Sequence, residues 1–445
     1  MFEERYYSDA IDDAHIQQWY DNKEIVVLNG GTGTGKSSFI YQKLIPHFAS
    51  DKMLFIILCN RYALKEQMKK QKKEALYDIF GEGEGFYYKH TNLHIIVSTY
   101  QAFTLFGADY VKQINEDMRN AIIICDECHY FLSDSSFNDT TTQCLDMIIG
   151  SNANIYMLSA TAKETIEYIN ATYSRTISDK NIITIYNDYS NITLHQYSEK
   201  TKWSQDEAYN IIINELLSSE TAKVVYYFNG VKQLQSVADR VNKTLGEPIA
   251  EVYYSGKSDA LDENGKLKYR CTLTTTTLDN GVNFLDEDIT AFIINLTDLY
   301  SIVQIIGRKR PKTPTHIFIN EPSKKVLLAY IRKLPLNLPD APTDTKIYYQ
   351  WLHRQHLNKF YHDGLVTTIY KMLRHTKIKS QFHIDRKKLI DYIKYHDKKG
   401  DIDREKVRAM LCDLGVELSE SAKRKSYINA LSSLYEDTDF SLIAI

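Results

Sequence analysis

The chain has 445 residues, of which 43% are hydrophobic and 25% are charged, and its formal net charge is −3. This length exceeds what one hydrophobic core usually serves, so we expect two or three domains. No apolar run approaches the roughly 20 residues that span a bilayer, and the acidic first residues lack a signal-peptide pattern. We therefore expect a soluble, intracellular protein rather than a membrane or secreted one.

Short β-branched runs alternate with helix-like stretches up to about residue 320, a pattern typical of parallel sheets in α/β domains. The first series of predicted strands covers residues 24–29, 53–60, 93–99, 121–126 and 154–159. The second series covers residues 222–228, 250–254, 269–275, 291–296 and 315–319. Between them, residues 175–200 form a polar stretch with two weak strands. The pattern predicts two α/β domains, residues 1–190 and 191–322.

The first predicted strand is followed by GGTGTGKS, residues 30–37, which fits the phosphate-binding pattern G-x-x-x-x-G-K-[ST]. Glycines let backbone N–H groups curl around a phosphate, and the following helix adds its positive N-terminal end. We expect Lys36 to neutralise phosphate charge and the Ser37 hydroxyl to ligate Mg²⁺. The alternative is a glycine-rich turn that binds no nucleotide. The predicted ATP-binding residues are Gly31, Thr32, Gly33, Thr34, Gly35, Lys36, Ser37 and Ser38.

Two acids, Asp126 and Glu127, stand at the end of the apolar strand AIIIC, where parallel α/β sheets bind their ligands. An acidic pair alone is usually a solvated strand end, but roughly 90 residues after such a glycine-rich loop it indicates a nucleotide site. We expect Asp126 to hold Mg²⁺ and Glu127 to orient and polarise the attacking water. Cys125 and Cys128 form a C-x-x-C pair here, but the sequence offers no second pair for zinc, so reduced thiols are expected.

After Pro322 the sequence changes to helical periodicity, which predicts a mainly helical C-terminal domain over residues 323–445. Residues 321–410 contain 20 Lys and Arg against 10 Asp and Glu, with aromatic residues such as Tyr348, Trp351 and Phe360 between them. Stacking aromatics with basic contacts is one way in which single-stranded nucleic acid is bound. The alternative is a small helical domain with buried aromatics and a solvated basic face.

Taken together, these motifs resemble those of the superfamily 2 helicases of the DEAD/DEAH-like group, with a DECH version of the acidic box at residues 126–129. Further segments resemble the family's motifs in the family's order, with motif Ia at residues 58–61, Ib at 98–101, III at 159–161, IV at 227–230, V at 274–284 and VI at 304–310. The resemblance covers about residues 20–322. The compact size and the short motif VI also resemble replication helicases of viruses and mobile elements.

The resemblance implies two tandem RecA-like domains that hydrolyse ATP with Mg²⁺ at their shared cleft while bound to DNA or RNA. It implies sequence-independent contacts to the phosphates of the nucleic acid. The implied nucleic-acid contacts are Asn60, Arg61, Ser98, Thr99, Asn229, Gly230, Thr275 and Thr276. The residues implied at ATP from the second domain are Gly281, Asn283, Gln304, Arg308 and Arg310.

The sequence departs from the family pattern at three points. Motif VI is one residue shorter than Q-R-x-G-R-x-G-R, so either Arg308 or Arg310 is the arginine finger; we favour Arg310, with Arg308 assisting. On an ideal helix these two residues project about 200° apart, so both reach one phosphate only if the helix ends near Lys309. Motif V has Asn283 where many relatives have Asp, and no convincing adenine-binding Q motif precedes the glycine-rich loop.

Two functions are compatible with these motifs. The first is an ATP-driven helicase or translocase. The second is an ATP-gated nucleic-acid clamp or a loading or remodelling factor, which binds nucleic acid or a replication partner protein without processive unwinding. An ATPase unrelated to nucleic acid would leave motif VI and the second domain without a purpose. The sequence does not distinguish DNA from RNA.

Overall fold

The computed structural model describes residues 6–31, 33–48, 53–59, 87–89, 93–113, 120–135, 138–186, 189–201, 204–257, 259–278, 283–337, 344–373, 379–414, 416, 418–434, 441–443 and 445. The chain divides into two compact units. The first unit comprises residues 1–187 and 334–353, and the second comprises residues 188–333 and 354–445.

The described residues of the first unit form a seven-stranded sheet of order β3-β4-β2-β5-β6-β1-β7. Its strands are β1 (Ile25–Gly30), β2 (Met53–Cys59), β3 (Tyr87–Lys89), β4 (Leu93–Thr99), β5 (Ala121–Asp126), β6 (Asn154–Ser159) and β7 (Ile182–Ile185). All neighbours pair in parallel except β3, which is antiparallel to β4. Every residue of β2 is buried, as expected of a parallel strand with helices on both faces.

The helices of the first unit follow the strands in alternation. They are α1 (Tyr7–Ala10), α2 (Asp13–Asp21), α3 (Lys36–Phe39), α4 (Ile45–His47), α5 (Tyr100–Gln113), α6 (Tyr130–Ser133), α7 (Thr141–Ile149) and α8 (Lys163–Thr172). One π-helical turn, Ile40–Leu44, connects α3 to α4. Pro46 stands two residues after this turn; a proline ring clashes with the carbonyl one turn back in a regular helix, and the wider turn makes room for it.

The described residues of the second unit form a seven-stranded, fully parallel sheet of order β10-β11-β9-β12-β13-β8-β14. Its strands are β8 (Ile192–Tyr197), β9 (Lys223–Phe228), β10 (Ala250–Tyr253), β11 (Cys271–Thr274), β12 (Ile289–Asn295), β13 (Thr315–Asn320) and β14 (Lys379–Ser380). The two weak strands of the polar stretch are β7 and β8. They belong to different sheets, because β7 pairs with β1 and β8 pairs with β13.

The remaining helices lie in the second half of the chain. They are α9 (Asp206–Ser218), α10 (Val231–Leu245), α11 (Leu299–Ile306), α12 (Lys324–Ile331), α13 (Thr345–Asp363), α14 (Leu365–Met372), α15 (Gln381–Asp397), α16 (Arg404–Asp413) and α17 (Arg424–Leu434). Within the described ranges, no helix combines the length and apolarity that crossing a bilayer requires. The two α/β sheets and the helical C-terminal part confirm the predicted fold class.

Polar contacts connect the helices after residue 323 to each of the two units. Glu321, at the end of β13, accepts hydrogen bonds from the backbone N–H groups of Leu365 at 2.8 Å and Val366 at 3.3 Å, at the start of α14. In the first unit, the Thr345 hydroxyl bonds to that of Thr141 at 2.8 Å. Residues 323–445 are thus shared between the two units. The sequence predicts a separate domain there, and its independent folding stays a prediction.

Candidate nucleotide-binding and nucleic-acid-binding sites

The glycine-rich loop joins the end of β1 to the start of α3. Gly33 and Gly35 have φ angles of 89° and 83°, in the left-handed region that favours glycine because a Cβ would be strained there. The Thr34 hydroxyl donates to the Gly31 carbonyl at 2.8 Å, which closes the loop on itself. Ser37 is exposed in the first turn of α3, beside Lys36. Thr32 lies outside the described residues.

The side chain of Lys36 turns back into this loop. Its ammonium donates to the Gly31 carbonyl at 2.9 Å and also to the Gly30 carbonyl. The positive charge therefore lies within the curl of the loop, where the P-loop prediction requires it for phosphate.

Tyr7 is a buried neighbour of the loop that the sequence does not reveal. A Cβ added to Gly30 would lie 2.5 Å from the Tyr7 hydroxyl and 2.8 Å from the Ile185 carbonyl. The Tyr7 side chain is fully buried, and burial raises the pKa of its hydroxyl. The segment before the first strand thus packs against the start of the loop, and no local pattern indicates this because the contact joins α1 to β1 across the fold.

The acidic pair stands at the end of β5. Asp126 is the last strand residue, and Glu127 has a φ angle of 56°, a left-handed conformation that is unusual for a residue with a side chain. The Cys128 N–H donates to the Leu158 carbonyl at 2.9 Å, and this bond joins the ends of β5 and β6. Burial raises the pKa values of the Cys125 and Cys128 thiols, so both stay neutral.

His129 connects the acidic box to motif III. Its Nδ1 lies 3.0 Å from the Ser159 hydroxyl and 3.4 Å from the Glu127 carboxylate. The Ser159 hydroxyl also accepts from the Thr161 N–H at 2.9 Å. His129 thus links Glu127 to Ser159 and Thr161. The sequence indicates only that the acidic box and motif III stand at the ends of two predicted strands.

The sheet brings the glycine-rich loop and the acids to one edge. β1 and β5 both pair with β6 in parallel, so their carboxyl ends lie on the same side, two strand spacings apart. Two spacings correspond to about 10 Å. This separation suits one nucleotide bound with its phosphates on the loop and its metal near the acids.

The predicted nucleic-acid residues of the first unit lie beside β4. Ser98 is buried and its hydroxyl donates to the Thr99 carbonyl at 3.2 Å. The Thr99 hydroxyl accepts from the Ala102 N–H at 3.1 Å, at the start of α5. Both hydroxyls thus make local contacts. Asn60 and Arg61 lie outside the described residues.

In the second unit, the predicted nucleic-acid residues follow β9 and β11. Asn229 is exposed, and Gly230 precedes α10. A Cβ on Gly230 would lie 2.6 Å from the Phe228 ring, so the position has little room for a side chain. The Thr275 hydroxyl lies 2.8 Å from that of Thr277, and Thr276, between them, is half-buried.

Motif VI begins inside α11 and continues past its end. The helix ends at Ile306, and Gln304 and Arg308 are both buried. Beyond it, Phe284 of motif V forms a parallel β-bridge with Lys309. Motifs V and VI therefore meet within the second unit. Gly281 lies outside the described residues.

Comparison with known proteins supports the helicase resemblance. Residues 1–164 match the family model described as Type III restriction enzyme, res subunit. No curated protein sequence matches the chain. Among solved structures, the DUF1998 helicase MrfA bound to DNA superposes with a TM-score of 0.50 at 12% identity, over 82% of this chain and 54% of its own. This likeness shows the fold.

Two other solved structures have lower TM-scores. S. cerevisiae Dbp5, bound to Gle1, has a TM-score of 0.49 at 12% identity and covers 80% of this chain and 84% of its own. The Mycobacterium smegmatis helicase Lhr, bound to ssDNA and AMP-PNP, has a TM-score of 0.48 at 9% identity. The match covers 95% of this chain and 53% of the Lhr chain. This chain thus spans about half the length of the MrfA and Lhr chains. The family match over residues 1–164, the order of the motifs and the two parallel α/β sheets together support the resemblance of this chain to the superfamily 2 helicases.

Proposed function

We propose that this chain is an ATP-hydrolysing motor that acts on DNA or RNA as a helicase or translocase. The proposal is supported most directly by the common edge of the first sheet, where the glycine-rich loop and the acids emerge from β1 and β5. We further propose that this edge binds ATP and that motif VI of the second unit completes the site, at a cleft between the two units.

Each residue of the first unit has a distinct role in this proposal. Lys36, turned into the loop, offsets phosphate charge. Ser37 and Asp126 would hold Mg²⁺, because hydroxyl and carboxylate oxygens are the hard ligands this ion prefers. When bound, Mg²⁺ supplies further charge neutralisation at the phosphates. Glu127 orients and polarises the water that attacks the γ-phosphate.

The second unit supplies positive charge for the transition state. Arg310, with Arg308 assisting, would offset the charge that develops on the γ-phosphate as its bond to ADP breaks. Gln304 of motif VI and Asn283 of motif V would also contact ATP. An arginine finger of this kind accelerates phosphoryl transfer by about 10³- to 10⁵-fold.

Nucleic acid is proposed to bind through phosphate contacts along motifs Ia, Ib, IV and V. Asn229 is exposed and Thr275 and Thr276 are half-buried, which suits such contacts. Because Ser98 is buried, its contact would come from the backbone. MrfA, which shares the fold, is described as bound to DNA, and this supports a nucleic-acid partner for the present chain.

The experiment is an ATPase assay with and without single-stranded DNA, single-stranded RNA and duplex, run beside a strand-displacement assay. We expect ATP turnover that one of these nucleic acids stimulates, and strand displacement that stops when ATP is withheld. Stimulated turnover without displacement would favour the clamp or loading factor with a protein partner. Turnover that no nucleic acid changes would contradict the proposal.

A further inference from the structure

Lys309 stands between the two arginines of motif VI, and its side chain enters a polar pocket of the second unit. Its ammonium donates to the Ile289 carbonyl at 2.5 Å and to the Thr313 and Thr315 hydroxyls at 2.6 Å and 2.7 Å. A lysine ammonium has three N–H donors, and these three oxygens use them all. The side chain is therefore anchored in one place and one direction.

The charge of Lys309 is partly withdrawn from water. Burial lowers the pKa of the ammonium to about 8, while Asp286, Asp288 and Glu287 act in the opposite direction. Asp286, whose charge has the largest of these effects, is itself engaged, because it pairs with Lys223 at 2.9 Å. Placing a cation here costs desolvation, and the three hydrogen bonds offset that cost. Such a residue has a more specific role than a surface lysine.

The backbone on both sides of Lys309 is held by Phe284. The Phe284 N–H donates to the Arg308 carbonyl at 3.1 Å, and the Arg310 N–H donates to the Phe284 carbonyl at 3.0 Å. In such an extended segment, side chains alternate between two faces. By this alternation, the anchored Lys309 lies on one face of the segment, and Arg308, which is buried, shares the other with Arg310.

We propose that Lys309 is a positioning residue that holds Arg308 and Arg310 on the face from which they act on ATP. The inference rests on the proposed function. In the shortened motif a single residue separates the two arginines, so anchoring that residue on the opposite face sets the direction of both.

The test compares Lys309→Met with Lys312→Met. Methionine keeps most of the stem and removes the ammonium, and exposed Lys312 provides the same charge loss three residues further along the chain. We expect Lys309→Met to lower kcat for ATP hydrolysis by about 10- to 100-fold, with KM for ATP within about twofold, because small misplacements of reacting groups cost rate rather than binding. The Lys312→Met variant should behave as the wild type.

A second measurement separates positioning from general damage. Affinity for ADP with Mg²⁺ should be unchanged in Lys309→Met, while affinity for ADP with aluminium fluoride, which mimics the transferring phosphate, should fall about tenfold or more. Equal losses for both ligands, or unchanged kcat, would overturn the proposal. A wild-type protein without ATP turnover would instead reject the proposed function, and this inference with it.

If Lys309→Met does not fold, as judged by circular dichroism, Thr313→Val decides. This change removes one of the three oxygens that accept from Lys309. A fall in kcat of about threefold or more at unchanged KM supports the proposal, since partial loss of the anchor should misplace the arginines in a fraction of molecules. Unchanged kcat in folded Thr313→Val overturns it.

Discussion

Arg310 donates from Nη2 to Asn283 Oδ1 at 2.6 Å, and this bond joins the last residue of motif VI to motif V. The amide of Asn283 is neutral, so it orients the guanidinium without cancelling its charge. An aspartate there would pair with Arg310 and compete with phosphate for it.

This bond leads to a prediction for the arginine finger. Arg310→Ala should lower kcat by about 10³-fold or more while ATP binding is spared, because the finger acts mainly on transition-state charge. Arg308→Ala should impair both, since Arg308 is buried and its removal would leave a cavity within motif VI. The measurements are steady-state ATPase and nucleotide titration. If Arg310→Ala turns over normally and Arg308→Ala is inactive with binding intact, the finger is Arg308.

A second prediction concerns the glycine-rich loop. Lys36→Ala should leave the protein folded and abolish ATP turnover, because the ammonium that lies in the loop is lost. The readouts are thermal unfolding and ATPase. Lys163→Ala, at an exposed lysine of the same unit, is the matched control and should retain turnover. Wild-type-like hydrolysis by folded Lys36→Ala would reject the P-loop assignment.

A third prediction separates metal binding from water activation. Glu127→Gln should bind ATP with Mg²⁺ yet hydrolyse it very slowly, because Asp126 remains and glutamine cannot accept the proton of the attacking water. Glutamine has the same shape, so the left-handed backbone at residue 127 is not further strained. Glu167→Gln, at an exposed acid, is the control. Loss of binding together with turnover would assign Glu127 another role.

Much of the fold could be predicted from the sequence, because buried parallel strands are continuous apolar runs. The strand Ala121–Asp126 lies where AIIIC predicts it, and the acids follow at its end. The strands Tyr87–Lys89 and Lys379–Ser380 were missed, since segments of three and two residues show no periodicity. Of the candidate site, only the residues that lie within a continuous sequence motif could be predicted.

The contacts that complete the site were not predictable, because they depend on tertiary packing. The bond between His129 and Ser159 joins residues 30 positions apart, and the Lys309 ammonium depends on Thr315, which belongs to the next strand. The sequence sets only a condition for motif VI, that both arginines reach one phosphate if the helix ends near Lys309, and the helix ends at Ile306. Pairing with Phe284 withdraws residues 308–310 from the helix, and local propensity at Pro311 does not indicate that competition.

A fourth prediction tests the basic C-terminal helices. Lys399 lies 4.2 Å from the Tyr395 ring centre, and Lys398 beside it is exposed. Changing both lysines to glutamine should weaken binding of single-stranded nucleic acid and reduce the slope of log affinity against log salt by about 1 to 1.5, since each contact contributes about 0.7. Substitution is preferable to deletion, because Glu321 ties α14 to the sheet.

The control for this experiment is the double change of Lys243 and Lys266 to glutamine, at exposed positions of the second unit. It removes the same charge from the same unit outside the proposed contact. An equal decrease in slope for both double variants would mean that the effect comes from overall charge. An unchanged slope in the Lys398 and Lys399 variant would mean that these lysines are merely solvated.

A fifth prediction concerns pH and Glu321. Burial raises the pKa of this carboxyl from its ordinary 4.5 to about 7, although the N–H groups of Leu365 and Val366 act in the opposite direction. Between these two pH values the folded state binds more protons than the unfolded state, so this group's contribution to stability should fall as pH rises from 4.5 to 7. Glu321→Gln should flatten that dependence. Urea unfolding of both proteins at several pH values is the measurement, and parallel pH curves would contradict the prediction.

The contact between Gly30 and Tyr7 bears on why the first position of the phosphate-binding pattern is glycine. A methyl group there would collide with the Tyr7 hydroxyl and with the Ile185 carbonyl of the neighbouring strand, neither of which is nucleotide. Packing of the fold therefore requires glycine at this position, whereas the curl of the loop requires it at positions 33 and 35. We expect the Gly30→Ala variant to fold poorly and to accumulate less in cells, rather than to hydrolyse ATP more slowly once it is folded. Conditions that favour folding should correct this defect, whereas a higher ATP concentration should not.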